Sequence, residues 1–159
     1  MTDAPRRTAI ALLFGFALAG CGNGVPVPTG NQVQQEASAR LGNIVVRANA
    51  IPTANLGEAI ARQYGIDRDD GTVMLLVGVR REDGNGNEAA LPARVTVVAT
   101  DLLGKRQRPV MREVRSGDFI DYVGTARVIA PDTLRFDIDI APGNAPAMEL
   151  HFNRDFFPR

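Results

Sequence analysis

The sequence predicts a mainly β protein, an immunoglobulin-like antiparallel β-sandwich of about seven strands with one short helix. Apolar and polar residues alternate with a period of two in several segments after residue 42, which is the pattern of strands with one buried face. Turn-forming residues separate these segments at short intervals. A length of 159 residues, 45% of them hydrophobic, fits one folded domain with appended segments.

The helix follows the first predicted strand, in the segment TANLGEAIARQYG. Thr53 can cap a helix at its N-terminus. Leu56, Ile60 and Tyr64 fall on one stripe, four residues apart. Gly65 suits the end of the helix. We expect this short helix to cover one end of the sandwich.

The predicted strands are of two kinds. VMLLVGV, residues 73–79, is apolar at nearly every position, which indicates a central strand covered on both faces. TLRFDIDI, residues 133–140, alternates strictly between apolar and charged or polar residues, so only one of its faces is expected to be buried. The remaining segments with strand patterns are residues 43–50, 93–100, 108–115, 117–128 and 148–157.

The first 20 residues have the composition of a bacterial export signal. Two arginines at positions 6 and 7 precede an apolar run over residues 9–19, and a small residue follows it. Because this run is shorter than the ~20 residues that span a bilayer, we expect cleavage rather than a membrane helix. The segment Leu18-Ala19-Gly20-Cys21 resembles the bacterial lipobox.

The lipobox resemblance implies a covalent lipid on Cys21, which is the single cysteine of the chain. A thiolate is a strong nucleophile for forming a thioether. The resemblance further implies that Cys21 becomes the N-terminus and carries several acyl chains, palmitate among them, since stable anchoring takes more than one. Gly22 replaces the aspartate that often retains lipoproteins at the inner membrane, and so favours the outer membrane.

These signals divide the chain into three parts. Residues 1–20 are the predicted signal peptide, residues 21–42 the lipidated cysteine with a flexible tether, and residues 43–159 the β-sandwich domain. The tether is rich in Gly, Pro, Gln and Asn, a composition that buries too little apolar surface to fold. Its expected r.m.s. reach is ~25 Å, which would hold the domain near the membrane surface.

Five segments of the predicted domain resemble a known bacterial family. They read ANLGEAIARQYGI, DLLGKRQ, MREVRSGDFIDYV, DTLRFDIDI and LHFNRDFF. In this order they resemble the family called domain of unknown function 4426, over about residues 43–159. The resemblance implies a small secreted or lipid-anchored β-sandwich protein whose activity is unassigned. It therefore implies no catalytic residue.

Few side chains in the sequence suit catalysis or metal binding. Ser116 is the only serine outside the predicted tether and His151 the only histidine, and no G-x-S-x-G elbow surrounds the serine. Because the single cysteine is assigned to lipid attachment, the chain has too few cysteine and histidine ligands for a zinc site. For copper(I), Met148 and His151 are three residues apart on a strand and so face opposite sides. We predict no catalytic site, no metal and no cofactor.

Two acidic segments have partial features of cation sites. EDGNGNE, residues 82–88, places three oxygen-bearing side chains at alternate positions, as a calcium loop does. Glu88, however, stands where that loop requires glycine. We interpret this segment as a hairpin loop. DRDDG, residues 67–71, is interpreted as a solvated turn between the helix and the next strand.

One segment, residues 104–115, is strongly basic. Its Pro109 cannot donate a hydrogen bond to a sheet, which indicates an edge strand or the start of a strand. Charged edges keep sheets from associating with one another. The alternative is a contact surface for anionic headgroups or for an acidic partner protein. The basic residues concerned are Lys105, Arg106, Arg108, Arg112 and Arg115.

The net charge of zero for the whole chain gives no general attraction to nucleic acid. The leading functional hypothesis is a lipid-anchored cell-envelope protein without enzymatic activity, which binds or supports another envelope component and faces the periplasm. The lipidated N-terminus makes the membrane its first partner. The alternatives are a carrier of a small ligand or metal, and an envelope hydrolase with paired carboxylates. The candidate carboxylates are Asp118, Asp121, Asp137 and Asp139.

Overall fold

The computed structural model describes residues 36–158, which form two antiparallel β-sheets packed face to face. The predicted signal peptide, Cys21 and most of the predicted tether lie outside the described residues. The helical elements in residues 36–158 are α1 (Glu58–Gln63) and a 3₁₀ turn at Thr53–Asn55. The strands in this part are β1 (Ala37–Leu41), β2 (Ile44–Pro52), β3 (Thr72–Glu82), β4 (Glu88–Ala90), β5 (Ala93–Thr100), β6 (Arg106–Gln107), β7 (Arg112–Ser116), β8 (Phe119–Arg127), β9 (Asp132–Pro142) and β10 (Met148–Phe156).

The strands are divided between a larger and a smaller sheet. The larger sheet has the order β1-β2-β3-β8-β7, and β4 pairs with one end of β3. The smaller sheet has the order β10-β9-β5-β6. Every one of these pairings is antiparallel. The predicted antiparallel sandwich with one short helix is confirmed, although the described part of the chain has ten strands rather than about seven.

The three additional strands, β1, β4 and β6, carry weak sequence signals. β4 has three residues and β6 has two, so neither is long enough to show an alternation. In β1 the residues that pack against the core are the small Ala37 and Ala39. Pairing with a longer neighbour stabilises each of these strands, and a segment read by itself does not reveal its neighbour.

Strand β1 lies within residues 21–42, the segment that composition assigned to the tether. It pairs with β2 along its whole length, from Ala37 opposite Ala48 to Leu41 opposite Ile44. The folded domain therefore begins before residue 43. Composition did not reveal this strand because backbone hydrogen bonds to β2, rather than burial of large side chains, hold β1 in place.

The core between the sheets is built from the alternating apolar residues of both. Phe136 and Ile138 of β9 are fully buried in the same cluster as Val46 and Val77 of the larger sheet. The ring of Phe136 stacks on that of Phe152 in the neighbouring β10, with centroids 5.0 Å apart, a distance at which aromatic pairs stabilise a core. The strict alternation in residues 133–140 thus marks a strand with one buried face, as predicted.

Tyr122 of β8 links the two sheets by a hydrogen bond. Its buried hydroxyl accepts 2.7 Å from the backbone N of Ala93, the first residue of β5 in the smaller sheet. Burial is the main cause that raises the pKa of the Tyr122 phenol. Because the fold favours the neutral phenol, this contribution to stability is present below the ordinary pKa of about 10 and is lost as pH rises through the folded value.

Strand β3 is covered on both faces, as its continuous apolar run predicted. Leu75 and Val77 belong to the core between the sheets, whereas Met74 packs with Leu56 and Ala61 in a second cluster on the opposite face. The helix therefore covers the outer face of the larger sheet, and the expectation that it covers an end of the sandwich is wrong. Met74 leaves apolar surface on that outer face, which is stable only when another element buries it.

The helix is shorter than its sequence pattern indicates. Gly57, and not Thr53, precedes its first residue. Thr53 is buried in the 3₁₀ turn, where its hydroxyl donates to the backbone O of Asp69 and accepts from the backbone N of Asp69, both at 2.9 Å. Gly65 follows the helix in a left-handed conformation with φ of 53°, as predicted, since a Cβ atom disfavours it. No helix within residues 36–158 has the length and apolar character to cross a membrane.

The segment that joins β6 to β7 runs from the edge of the smaller sheet to the edge of the larger one. It passes close over Gly124 of β8. A Cβ atom added to Gly124 would lie 2.6 Å from Met111 Sδ and 3.2 Å from the backbone O of Val110. The close approach of this segment therefore depends on the absence of a side chain at residue 124.

Gly124→Ala is expected to lower the free energy of unfolding by about 1–3 kcal/mol, the usual cost of crowding a packed core. Gly78→Ala is the matched control, because the atoms nearest to a Cβ atom there belong to the flexible guanidinium of Arg80, at 3.4 to 3.5 Å. Urea denaturation followed by circular dichroism measures both variants. Equal stabilities for the two would contradict the crossing described above.

Candidate functional site

Several loops meet at one end of the sandwich, where β2, β5, β8 and β10 end and β3 and β9 begin. The segments that meet there are residues 53–55, 70–71, 101–105, 128–131 and 157–158. Large apolar side chains are exposed on three of these segments, with exposed fractions of 73% for Leu102, 96% for Leu103, 87% for Ile129 and 61% for Phe157. We call this region the apolar end. Soluble monomers rarely expose such side chains together, so the apolar end is a candidate contact surface.

Two grooves at the apolar end share a wall formed by Val128 and Ile129. The first groove has a volume of about 460 Å³ and is also lined by Phe157. The second has a volume of about 400 Å³ and is also lined by Leu102 and Leu103. The shared wall makes the exposed apolar side chains parts of one surface.

Two carboxylates hold the loop that presents Leu102 and Leu103. Asp101 Oδ1 accepts hydrogen bonds from the backbone N of Leu103 at 3.0 Å and of Lys105 at 2.8 Å. Asp132 Oδ1 accepts one from the backbone N of Leu102 at 3.3 Å. Side chains that bond to nearby backbone in this way stabilise turns. The loop therefore presents its two leucines in a defined arrangement.

The predicted basic segment lies along one side of the sandwich. Its strand β6 is the edge of the smaller sheet, and its strand β7 is the edge of the larger sheet. The prediction of an edge from Pro109 is confirmed, although Pro109 itself lies between the two edge strands. A side with two charged edges resists pairing with another sheet.

The basic residues of this segment differ in their surroundings. Arg115 Nε donates to Glu113 Oε1 at 2.6 Å. The other four form no ion pair within residues 36–158 and their side chains are exposed or partly exposed; they are Lys105, Arg106, Arg108 and Arg112. Arg112 lies on β7. Lys105, Arg106 and Arg108 closely follow the loop of Leu102 and Leu103, and so adjoin the apolar end.

Gln107 ties this basic edge to the larger sheet. Its Nε2 donates to the backbone O of Arg127 at 2.8 Å, and its Oε1 accepts from the backbone N of Arg127 at 2.7 Å. The guanidinium of Arg127 pairs with Asp69 at 3.1 Å. Hydrogen bonds from Thr72 and from the backbone N of Gly71 hold the pKa of Asp69 below its ordinary value. The Asp69 carboxylate thus stabilises the turn at residues 67–71, in agreement with its interpretation as a turn.

The two residues considered for a serine hydrolase lie on different sheets. Ser116 is the last residue of β7 in the larger sheet, whereas His151 lies on the exposed face of β10 in the smaller sheet. His151 Nδ1 is 3.1 Å from Asp137 Oδ1, and its Nε2 is 3.4 Å from Glu149 Oε2. In the described part of the chain, the imidazole contacts carboxylates and not the serine.

The four candidate carboxylates of the hydrolase hypothesis are dispersed. Asp118 lies in the turn between β7 and β8. Asp121 lies on the larger sheet, where its Oδ1 pairs with Arg80 at 2.8 Å. Asp137 and Asp139 share the outer face of the smaller sheet, and neither lines a groove of the apolar end. The only two that share a face therefore lie outside both grooves.

Among residues 36–158, no group of three or more His, Cys, Asp or Glu side chains is placed to hold a metal ion. Met148 is buried in the core while His151 is exposed, as their spacing predicted. Residues 82–88 form the hairpin between β3 and β4, also as predicted. Within it, Asp83 Oδ1 accepts hydrogen bonds from the backbone N of Asn85 and of Asn87, both at 2.9 Å.

Sequence reasoning did not identify the exposed apolar residues of the apolar end. One usable signal was the segment DLLGK, in which two leucines stand beside a glycine, a residue typical of turns. Turns lie on the surface, so adjacent leucines in a turn indicate an exposed apolar pair. Ile129 and Phe157 carry no comparable signal, because only the fold brings their segments to the same end.

These features define a class of protein: a small two-sheet β-sandwich whose distinctive surface is an apolar end beside unpaired basic residues. The chain belongs to the family described as Domain of unknown function (DUF4426), whose family model matches residues 38–159. The family resemblance seen in the sequence is thereby confirmed. The match begins within β1, in line with a domain that starts before residue 43.

The fold resembles that of several solved structures, among them the following two. A DUF4426 family protein from Pseudomonas aeruginosa PAO1 has 27% sequence identity and a TM-score of 0.67, and the match covers 80% of this chain and 98% of that one. FetP from uropathogenic E. coli strain F11 has 9% identity and a TM-score of 0.55, and the match covers 77% of this chain and 95% of that one. At that identity the likeness to FetP shows the fold alone. No curated protein matches the sequence.

The apolar end is expected to bind anilinonaphthalene sulfonate, a dye that fluoresces in apolar surroundings. Ile129→Ser removes one of the two apolar side chains shared by both grooves, so we expect it to reduce the fluorescence of the dye. Its effect on stability should stay within about 0.5 kcal/mol, as for most surface substitutions. Phe119→Ser is the control, since Phe119 is also 58% exposed but follows the turn at the other end of β8. A loss of fluorescence in the control alone would argue against this site.

Proposed function

We propose that this protein is a lipid-anchored module of the bacterial cell envelope, without enzymatic activity, that binds another envelope component through its apolar end. In this proposal Cys21 carries the lipid, the outer membrane holds the anchor, and the sandwich faces the periplasm. The cations Lys105, Arg106 and Arg108 belong to the same contact surface.

The observation that carries the binding role is the exposure of Leu102, Leu103, Ile129 and Phe157 at one end of the sandwich. Full burial of such a side chain contributes ~1.5–3 kcal/mol, so four of them in water favour contact with another molecule. The anchor has independent support in the export signal and the lipobox resemblance at residues 18–21.

The proposal of a non-enzymatic role rests on how the reactive side chains of residues 36–158 are distributed. Ser116 and His151 belong to different sheets, and Asp137 and Asp139 lie on the outer face of a regular strand. Hydrolysis requires such groups to converge in a concave site that positions a substrate. Their dispersal favours binding over hydrolysis.

The anchor predicts that cells supplied with radiolabelled palmitate incorporate it into the protein and remove residues 1–20. Cys21→Ala is expected to abolish the label, because the chain has no other cysteine. Gly22→Asp is the control, expected to keep the label while moving the protein from the outer to the inner membrane fraction. A wild-type chain that stays unlabelled and keeps its leader would refute the anchor.

The contact surface predicts a position-specific photocrosslink in living cells. A photoreactive amino acid in place of Leu103 is expected to form an adduct with an envelope component, identified by mass spectrometry of the isolated envelope. The same amino acid in place of Phe119, which is exposed at the opposite end, should not form it. If both positions give the same adducts, the apolar end is not a specific contact surface.

The first groove supports one alternative, a carrier of a small apolar ligand. Its volume of about 460 Å³ falls within the range of small-molecule sites. Native mass spectrometry separates the two functions, because a carrier retains additional mass that Phe157→Ser reduces. A binding module of the kind proposed retains none.

A further inference from the structure

We propose that the apolar end docks on the anionic surface of the bilayer that holds the anchor. Leu102 and Leu103 insert among the lipids, while Lys105, Arg106 and Arg108 contact the headgroups. This inference rests on the proposed lipid anchor and specifies the envelope component that the apolar end binds.

The loop of Leu102 and Leu103 has the features of a membrane-inserting tip. Leu103 is the most exposed large apolar side chain in the described part of the molecule. Asp101 and Asp132 bind the backbone of the loop, so the two leucines are held outward before any contact is made. Apolar groups that bind at membrane interfaces lie ~5–10 Å into the boundary between headgroups and acyl chains, so a loop can bind there without crossing the bilayer.

The charges beside this tip complement an anionic surface. Lys105, Arg106 and Arg108 closely follow the leucines and form no ion pair within residues 36–158. The acids that contact the backbone of the loop are Asp101 and Asp132, and both accept hydrogen bonds from its N–H groups. The cations are therefore free to contact lipid phosphates, and each cation near an anionic membrane strengthens binding roughly fivefold.

The direction of β1 sets the side from which the chain enters the described domain. Ala37 pairs with Ala48, the middle residue of β2, and from there β1 runs away from the apolar end. The chain therefore enters β1 about halfway along β2, from the direction of the apolar end. Cys21 precedes Glu36 by 15 residues, and even a fully extended chain of that length spans at most about 50 Å.

This short connection favours a lipid surface over an acidic protein as the occupant. A lipid on Cys21 keeps the bilayer permanently within reach of the apolar end, at a high effective concentration that a free protein partner lacks. A bilayer also accepts protruding leucines without needing a surface of matching shape. When the apolar end faces the bilayer, both the leucines of the loop and the cations beside them contact lipid.

The experiment uses a single introduced tryptophan, because the chain contains none. Lipidated Leu103→Trp protein is reconstituted into phosphatidylcholine vesicles with or without phosphatidylglycerol, and brominated acyl chains serve as quenchers. We expect the emission to shift to shorter wavelength and to be quenched, more strongly with phosphatidylglycerol. Lipidated Phe119→Trp protein, with its reporter at the other end of the sandwich, should show neither change.

The contribution of charge is tested in the Leu103→Trp background. Arg106→Gln with Arg108→Gln is expected to lower the ratio of docked to undocked protein roughly 25-fold in phosphatidylglycerol vesicles. Arg81→Gln with Arg94→Gln is the matched control, because it removes the same charge from exposed residues near the opposite end. This control should leave the ratio unchanged.

The outcomes separate failure of the docking from failure of the anchor. A palmitate-labelled chain whose tryptophan at position 103 is not quenched overturns the docking and leaves the anchor standing. Equal quenching at positions 103 and 119 also overturns it, as does a photocrosslink from position 103 to a protein without quenching by lipid. A chain without palmitate overturns the anchor and, with it, the docking.

Discussion

Strand β3 buries apolar side chains on both of its faces, with Leu75 and Val77 between the sheets and Met74 beneath the helix. A strand with two buried faces needs hydrogen-bonded neighbours on both sides, and β2 and β8 supply them. Its outer face must also be covered by another element, because apolar surface left in contact with water destabilises a fold. Residues 53–71 supply this cover, and part of the same segment lines the first groove of the apolar end. The need to bury the outer face of β3 thus also positions one wall of the candidate site.

The edge strands β6 and β7 have a different requirement, because their free edges must not pair with the sheets of other molecules. Charged side chains and Pro109 protect this side, and the connection between the two strands closes over Gly124. Because Lys105, Arg106 and Arg108 closely follow the loop of leucines, the residues that protect the edge are the same ones that the proposed docking uses. The hydrogen bonds between Gln107 and Arg127 hold this edge against the larger sheet, which keeps the cations and the apolar side chains on adjoining surfaces.

The sequence predicted the fold where a pattern depended on neighbours along the chain. The strands at residues 73–79 and 133–140 and the helix end at Gly65 lie where periodicity and turn chemistry placed them. It failed where structure depended on distant partners, as in β1, whose small residues are held by pairing with β2. Thr53 shows the same limit, because its hydroxyl bonds to the backbone of Asp69 and not to the helix that follows it.

For the candidate site, the sequence by itself determined the basic segment, its position at a sheet edge, and the signal with Cys21 from which an anchor is inferred. Only the tertiary structure decided that Leu102, Leu103, Ile129 and Phe157 meet at one end. The reason is physical: periodicity reports which face of a strand is buried, whereas the meeting of separate loops is set by the order and register of the strands that carry them. Those strands pair across long separations in the chain, so no local pattern records which loops they bring together.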